Sequence, residues 1–204
     1  MDETADFAGT LPAIILLSFW WAFLSALEFL SRPPESGGAD LPAAALAGDA
    51  PGPGREKRSL ELSDVDPEFS AEIFLDGARR AYEAVLGHYA RGEIGMLRPL
   101  LSREVLQAFA EACAGRAERG DTLDLTFIGI ESAKIADVEI CADAVEITVE
   151  FRAQVVSSER SADGTLIGGD PATIMLTADL WTFSRPLPAE SDAWVVVATD
   201  EAAD

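Results

Sequence analysis

Residues 66–91 read DPEFSAEIFLDGARRAYEAVLGHYAR and predict one long amphipathic helix with a marked beginning and end. Asp66 is a suitable N-cap, and Pro67 suits the first helical position because the N–H that it lacks would have no partner there. Glu72 places negative charge near the positive end of the helix dipole. Gly92 follows the stretch and predicts its C-terminal stop.

This helix carries an apolar stripe that needs a partner surface. Its members recur at steps of three, four and five positions, which places them along one side of a helix. We expect the stripe to pack into the concave face of the sheet that follows. The polar tips of two tyrosines are expected at the rim of that sheet. The predicted stripe consists of Phe69, Ile73, Ala78, Tyr82, Val85 and Tyr89.

Gly77 lies inside this helix, where glycine costs ~1 kcal/mol relative to alanine. Its presence predicts a close approach by another backbone. Ser102 and Gly120 mark the ends of a second long helix, Arg103 to Arg119, after a short helical turn within residues 93–101. Arg116, at the end of the second apolar stripe, is expected to reach solvent.

From residue 122 onward the apolar period changes from 3.6 to 2, which indicates strands. Gly129 suggests a bend or bulge, Ala142-Asp143 suggests a tight hairpin turn, and residues 157–171 suggest a polar loop. The predicted strand segments are 122–127, 134–141, 144–155, 173–184 and 193–199. Helices followed by antiparallel strands, without βαβ alternation, predict an α+β domain. Two long helices would cover one face of a curved sheet of about four strands.

The composition limits the possible classes of function. The chain has 204 residues and a formal net charge of −21. Phosphate backbones repel such a chain, so nucleic-acid binding is set aside. Two cysteines, Cys113 and Cys141, are too few for a disulfide scaffold. We interpret them as two buried free thiols, with one bridge in an oxidising compartment as the alternative.

Residues 11–30 predict a transmembrane helix, because Glu28 is their only charged residue. Twenty helical residues span ~30 Å, about the thickness of the bilayer's hydrocarbon core. A cleaved signal peptide is one alternative, but acidic Asp2, Glu3 and Asp6 stand where a basic region belongs. A buried core helix is the second alternative, but the segment has no polar side.

The chain is therefore predicted to be a tethered domain. Residues 33–64 hold five prolines and five glycines and lack the apolar periodicity that would offset the cost of ordering the backbone. Lysine and arginine follow the span and do not precede it, which predicts a cytoplasmic C-terminal side. The predicted divisions are an acidic tail at 1–10, the span at 11–30, a Pro/Gly/Ala-rich disordered linker at 31–64, the domain at 65–200 and a tail at 201–204.

An ordered series of short motifs over about residues 64 to 200 resembles the Tim-forty-four-like domain family. That family includes the C-terminal domain of the mitochondrial import motor's membrane tether and the bacterial TimA adaptor proteins. Trp194 followed by Ala198-Thr199 fits the end of the family pattern. The other motifs are DPEF at 66–69, FLDGAR at 74–79, LRPLLS at 97–102, RAERG at 116–120, FIGI at 127–130 and DLWTFSR at 179–185.

The resemblance implies a cone-shaped α+β fold, similar to the nuclear transport factor two-like fold. It also implies a single-pass protein of the bacterial inner membrane that acts as a non-enzymatic adaptor or scaffold in protein transport or envelope assembly. The expected partners are membrane lipid, through the span, and a translocon, ribosome or chaperone. The family's link to anionic lipid is not carried over. Residues 66–204 hold 26 acidic and 11 basic side chains, which disfavours charge-driven lipid binding.

Two other classes of function stay open. One is a binder of lipid or of a small apolar ligand in the pocket of the cone. The other is a small-molecule enzyme, whose candidate polar groups are Tyr82, His88, Tyr89 and Asp179. In that case Asp179, next to Trp181, would be a desolvated general base, whereas His88 is interpreted as a surface or rim residue. No metal-ligand spacing or phosphate loop accompanies these residues. The sequence therefore predicts no catalysis, no cofactor and no metal. The candidate pocket residues are Tyr82, Tyr89, Phe109, Phe151 and Trp181.

Overall fold

The fold is that of a computed structural model, which describes residues 62, 66–67, 69–141, 143–187 and 193–202. The predicted acidic tail, the predicted membrane span and most of the predicted linker lie outside these residues. Among the residues described, no helix combines the length and the apolar character needed to cross a membrane.

The first long helix, α1, spans Ala71–Ala90 and begins four positions later than the sequence predicts. Ser70 is the N-cap, and its side-chain oxygen accepts a hydrogen bond from the Ile73 N–H at 3.4 Å. The predicted Asp66 cap is wrong because a second capping residue lies closer to the helix. Gly92 adopts a φ of 68° just beyond the helix, as its predicted stop role requires.

Two further helices follow. The short helix α2 spans Ile94–Leu97. The second long helix, α3, spans Arg103–Arg119, between the N-cap Ser102 and the left-handed Gly120, so its predicted ends are confirmed. Its buried side is formed by Val105, Ala108, Phe109, Cys113 and Arg116.

Within the described residues, five strands form one antiparallel sheet, where the sequence predicts a sheet of about four. They are β1 (Thr122–Ile140), β2 (Ala144–Arg160), β3 (Leu166–Gly169), β4 (Met175–Pro186) and β5 (Val195–Glu201). The order is β1-β2-β4-β5, and β3 pairs with β2 beyond the start of β4.

Two predicted strand boundaries are wrong. The first two predicted segments are one continuous strand, because register shifts such as the one between Phe127 and Gly129 absorb the bends without ending the pairing. The predicted polar loop at 157–171 instead contains the end of β2 and all of β3. The predicted hairpin turn is confirmed by the bond from the Cys141 N–H to the Ala144 carbonyl at 2.8 Å.

The core lies between α1 and the inner face of the sheet. Phe74, Ala78, Tyr82 and Val85 of α1 are buried. Ile73, predicted to belong to this stripe, is 73% exposed. Successive helical residues differ by about 100° in direction, so the burial of Phe74 turns Ile73 outward. A Cβ on Gly77 would meet nothing within 4 Å, which contradicts the predicted close approach of another backbone.

Among the described residues, two arginines are buried. Arg116 is 8% exposed, and it donates a hydrogen bond to the Tyr89 carbonyl at 2.8 Å. The prediction that it reaches solvent is therefore wrong, because its guanidinium is held by that carbonyl and lies over the Tyr89 ring. Arg185 forms an ion pair with Asp66 and lies 4.7 Å from the centre of the Trp194 ring.

Both cysteines are free, as predicted, and Cys113 is buried. Cys141 is exposed, in contrast to its predicted burial, because it lies at the tip of the β1–β2 hairpin. Leu62 is fully buried in the core. Leu62 and Asp66 therefore fix the start of the domain before α1 begins.

Candidate functional site

Three aromatic residues from three elements fill the space between α1 and the sheet. The ring of Tyr82 lies 4.5 Å from that of Phe151 on β2, in a stacked arrangement. It also lies 4.7 Å from the ring of Trp181 on β4. None of the three is more than 2% exposed. The alternation of β2 and β4 brings Phe151 and Trp181 to the inner face, where the helix supplies Tyr82.

The carboxylate of Asp179 is buried next to the hydroxyl group of Tyr82, the polar group of this aromatic layer. The Tyr82 hydroxyl donates a hydrogen bond to Oδ2 of Asp179 at 2.5 Å. It also lies 3.1 Å from the Thr177 hydroxyl, which in turn donates to the Ala153 carbonyl at 3.4 Å. Asp179 is 4% exposed. The expectation that the Tyr82 tip lies at a solvent-facing rim is wrong, because this acceptor holds the hydroxyl inside the core.

Burial sets the protonation of this pair. It is the largest influence on Asp179 and raises the pKa of its carboxyl to about 6, against the opposing hydrogen bonds from Tyr82 and Thr177. Burial, followed by the charge of Asp179, raises the pKa of the Tyr82 phenol well above its ordinary value. Near neutral pH a neutral phenol therefore donates to a carboxylate that is largely ionised.

The five candidate pocket residues fall into two clusters. Tyr82, Phe151 and Trp181 form the aromatic layer. Tyr89 and Phe109 pair separately, with ring centres 5.0 Å apart, where α1 meets α3. Burial raises the pKa of Tyr89. The contact of these five residues with a ligand stays a prediction.

A groove of about 430 Å³ lies between α1 and β1, and the sequence analysis did not identify it. His88, predicted to be a rim residue, is half-buried in its wall and lies 2.7 Å from Glu93. Hydrogen bonds from His88 and Arg91 hold the pKa of Glu93 below its ordinary value. The recurrence of polar and small residues on this side of α1 was the available signal. The lining residues are Arg80, Glu83, Ala84, Gly87, His88, Arg91, Leu125 and Phe127.

These features define an α+β domain whose central polar pair is enclosed by aromatic rings. Within the part of the chain that the structure describes, no group of three or more His, Cys, Asp or Glu side chains is placed to hold a metal ion. A family model described as the Tim44-like domain matches residues 58–201. The chain belongs to the Tim44-like domain family, as its motifs predicted.

A curated relative is the mitochondrial import inner membrane translocase subunit TIM44-1 of Arabidopsis thaliana, which is 22% identical over 125 residues. The match covers 61% of this chain and 26% of that protein. The chain thus spans about a quarter of the relative's length.

Among solved structures, the intermembrane space region of chloroplast protein ARC6 has a TM-score of 0.44 and 12% identity, covering 64% of this chain and 97% of that one. A nuclear transport factor 2-like protein from Salmonella enterica has a TM-score of 0.41 and 7% identity, with coverages of 66% and 95%. A ketosteroid isomerase-like protein from Erwinia carotovora atroseptica has a TM-score of 0.35 and 16% identity, with coverages of 67% and 100%. Likeness at these scores does not identify a function.

Proposed function

We propose that this protein is a non-enzymatic, membrane-associated adaptor or scaffold in protein transport. Its Tim44-like domain would be presented to a protein partner at the membrane. The observation that supports this most is the match to the Tim44-like domain over residues 58–201. The name of the Arabidopsis relative, a subunit of an import translocase, supports transport as the setting.

The enclosed state of Asp179 supports the absence of catalysis in this proposal. A general base needs a lone pair within reach of a substrate proton. Asp179 is 4% exposed, and its carboxylate already accepts a hydrogen bond from Tyr82. The packed rings of Tyr82, Phe151 and Trp181, none more than 2% exposed, leave the carboxylate no open approach.

Membrane attachment is proposed to come from residues 11–30, in a bacterial inner membrane, with the domain on the cytoplasmic side. Their apolar composition supports the span, and the basic residues that follow support the sidedness. A reporter that is active only in the cytoplasm, fused to the C-terminus, tests the sidedness. A silent reporter on a chain of confirmed expression contradicts it.

Crosslinking with mass spectrometry on intact membranes tests the adaptor role in the full chain. We expect crosslinks from the domain to components of a protein-transport machine. A matched control replaces residues 11–30 by an unrelated membrane span. The same crosslinks should persist in that control, because the proposal assigns partner choice to the domain. A full chain that crosslinks only to itself or to unrelated membrane proteins contradicts the proposal.

A binder of lipid or of a small apolar ligand is the second candidate, and the groove between α1 and β1 favours it. Leu125 and Phe127 give the groove apolar lining, and its volume of about 430 Å³ is in the range of small-molecule sites. Extraction and mass spectrometry of small molecules retained by the purified full chain test this candidate. Loss of a retained molecule in Phe127→Ala, but not in Met96→Ala, would favour it over the scaffold.

A further inference from the structure

The chain enters the domain through a short segment that lies ahead of α1 and packs against the core. Leu62 is fully buried there. The Asp66 N–H donates a hydrogen bond to the Leu62 carbonyl at 2.8 Å, and the Phe69 N–H donates to the Asp66 carbonyl at 3.1 Å. We call residues 62–69, of which the structure describes 62, 66, 67 and 69, the strap.

An ion pair links the strap to a strand more than a hundred positions further along the chain. The Asp66 carboxylate accepts a hydrogen bond from Nη2 of Arg185 on β4. The side chains of Asp66 and Arg185 are 14% and 7% exposed, so the pair is largely removed from water. β4 lies inside the sheet, between β2 and β5. The strap is therefore attached directly to the sheet, independently of its covalent connection to α1.

The beginning of α1 does not depend on the strap. Ser70 caps the helix through its side-chain oxygen, which accepts from the Ile73 N–H. The Phe74 N–H donates to the Ser70 carbonyl at 2.9 Å, which is the first bond of the helix. Departure of Asp66 would leave these capping bonds in place. The strap and α1 are therefore separable units of structure.

Arg185 has a second partner, which belongs to the sheet. Its guanidinium lies 4.7 Å from the centre of the Trp194 ring, and that ring packs 4.8 Å from the ring of Phe74. A buried charge that loses its only counter-charge is strongly disfavoured, so the ion pair holds the strap closed at rest. The cation–π contact with Trp194 retains Arg185 in place once Asp66 has left.

We propose that the strap is a releasable link between the linker and the domain. A pull on the linker would undock Leu62 and separate Asp66 from Arg185, while α1 and the sheet stay folded. The nine residues from 62 to 70 span about 30 Å when extended, and the folded domain would gain that much reach. The inference rests on the proposed function only for the membrane attachment that supplies the pull.

The position of the strap in the chain sets the order of release. The linker joins the domain at Leu62, so the strap receives the pull before α1 does. Among the described residues, the strap is held by the burial of Leu62, by the Asp66 ion pair and by the packing of Phe69 on Phe74 and Trp194. The remainder of the core is far larger. Segments with few buried contacts open at lower free energy than the rest of a domain.

Single-molecule force measurement on the full chain in detergent tests the release. One handle is attached to the thiol of Ser36→Cys in the linker and the other to Cys141, which is exposed, whereas Cys113 is buried. Cys141 lies at the tip of the β1–β2 hairpin, and Val145 of that hairpin pairs with Arg185. The pull therefore acts mainly across the strap. We expect a lengthening of about 30 Å before the domain unfolds.

Variants assign this step to the strap. Asp66→Asn removes the charge at nearly constant size and should lower the force of the step, without changing the force of domain unfolding. Leu62→Ala keeps the ion pair and should lower the force of the same step. Asp76→Asn is the matched control, because it removes the same group from an exposed pair with Arg80 on α1 at 3.1 Å. It should leave the step unchanged.

Hydrogen exchange measures the same opening without force. In the full chain, Asp66→Asn should speed exchange of the amides at positions 66 and 69 by about tenfold or more, because a hydrogen bond between charged groups is lost. The amides of α1 and β4 should exchange as in wild type. Equal acceleration of the α1 amides would show that the strap and α1 open as one unit, and would overturn the inference.

Three results of the force measurement also overturn it. They are unfolding of the wild-type domain without an earlier lengthening, a step that neither Asp66→Asn nor Leu62→Ala changes, and an equal change in the Asp76→Asn control. The strap and the proposed function fail separately. Release of the strap in a protein that gives no transport crosslinks on membranes contradicts the proposed function and leaves the strap standing. Transport crosslinks without the early step contradict the strap alone.

Discussion

The two faces of the same strands in this protein are opposite in character. On the inner face, Phe151 and Trp181 enclose a carboxylate that has a donor in Tyr82. On the outer face of the same two strands, a few residues away, Leu176 is exposed to solvent and lies opposite Gln154. Polar groups are buried and bonded on one side, while apolar groups are exposed on the other.

This difference separates stability from recognition. A buried, hydrogen-bonded polar pair specifies one packing of helix on sheet, because any other packing leaves a polar group without a partner. An exposed apolar group adds little to folding and retains its free energy of burial for a partner. The inner face therefore holds the domain together, and the exposed side chains of the outer face contribute little to folding.

Phe151→Ala, a change on the inner face, should lower the stability of the domain more than any other variant considered. Phe151 is fully buried and contacts both Tyr82 and Trp181. Its removal leaves a cavity, so we expect a loss of about 3–5 kcal/mol in the free energy of unfolding. Chemical denaturation measures it. A loss below ~1 kcal/mol would mean that the aromatic layer does not support the core.

The stability of Asp179→Asn relative to wild type should depend on pH, because the substitution removes the buried carboxyl that titrates. The folded pKa of about 6 lies above the ordinary carboxyl value of 3.8, so ionisation costs the folded state more than the unfolded state. Wild-type stability from this group is therefore full below pH ~4 and falls as pH rises through 6. Asparagine does not titrate. Relative to wild type, the variant should gain roughly 2–3 kcal/mol between pH 4 and pH 7.5. A pH-independent difference between the two denaturation curves would exclude a raised carboxyl pKa.

Tyr82→Phe should have an intermediate effect that also depends on pH. The variant keeps the ring but removes the donor to Asp179. A hydrogen bond to a charged acceptor contributes about 1.5–3 kcal/mol and a neutral one about 1 kcal/mol. We therefore expect a greater loss of stability at pH 7.5 than at pH 4. The double variant with Asp179→Asn is the control and should lose the pH dependence.

Leu176→Ser should have the smallest effect on folding. Leu176 is 56% exposed, and surface changes of this kind stay within ~0.5 kcal/mol. Thermal unfolding of Leu176→Ser and Phe151→Ala under the same conditions measures the difference in stability between the outer-face and inner-face variants. A loss comparable to that of Phe151→Ala would show that Leu176 contributes to the stability of the fold despite its exposure.

Local signals predicted both ends of α3 but not the start of α1, and they predicted burial less well. Ser102 and Gly120 delimit α3 because capping depends on residues within one turn. The same reasoning placed the start of α1 too early, since Asp66 and Ser70 are both good caps and Asp66 instead pairs with Arg185. Which of the two residues caps the helix therefore depends on Arg185, more than a hundred positions away.

The candidate site shows the same division. The sequence identified Tyr82 and Asp179 separately as polar groups of interest. It did not show that they bond to each other, because 97 positions separate them and only the packing of α1 on β4 brings them together. The closeness of the exposed residues Ile128 and Leu176 on the outer face was not predicted, for a related reason. Ile128 and Leu176 become neighbours only through the register of β1, β2 and β4.

The sequence by itself determined the family, the α+β order of helices before strands, and the caps that delimit α3. These are encoded in nearby residues and in the periodicity of apolar side chains. The tertiary structure alone decided that Phe74 and not Ile73 faces the sheet, that Arg116 is buried, and that Asp179 has a raised pKa. Each of these depends on which distant surface a side chain meets, and that surface exists only when helix and sheet are packed together.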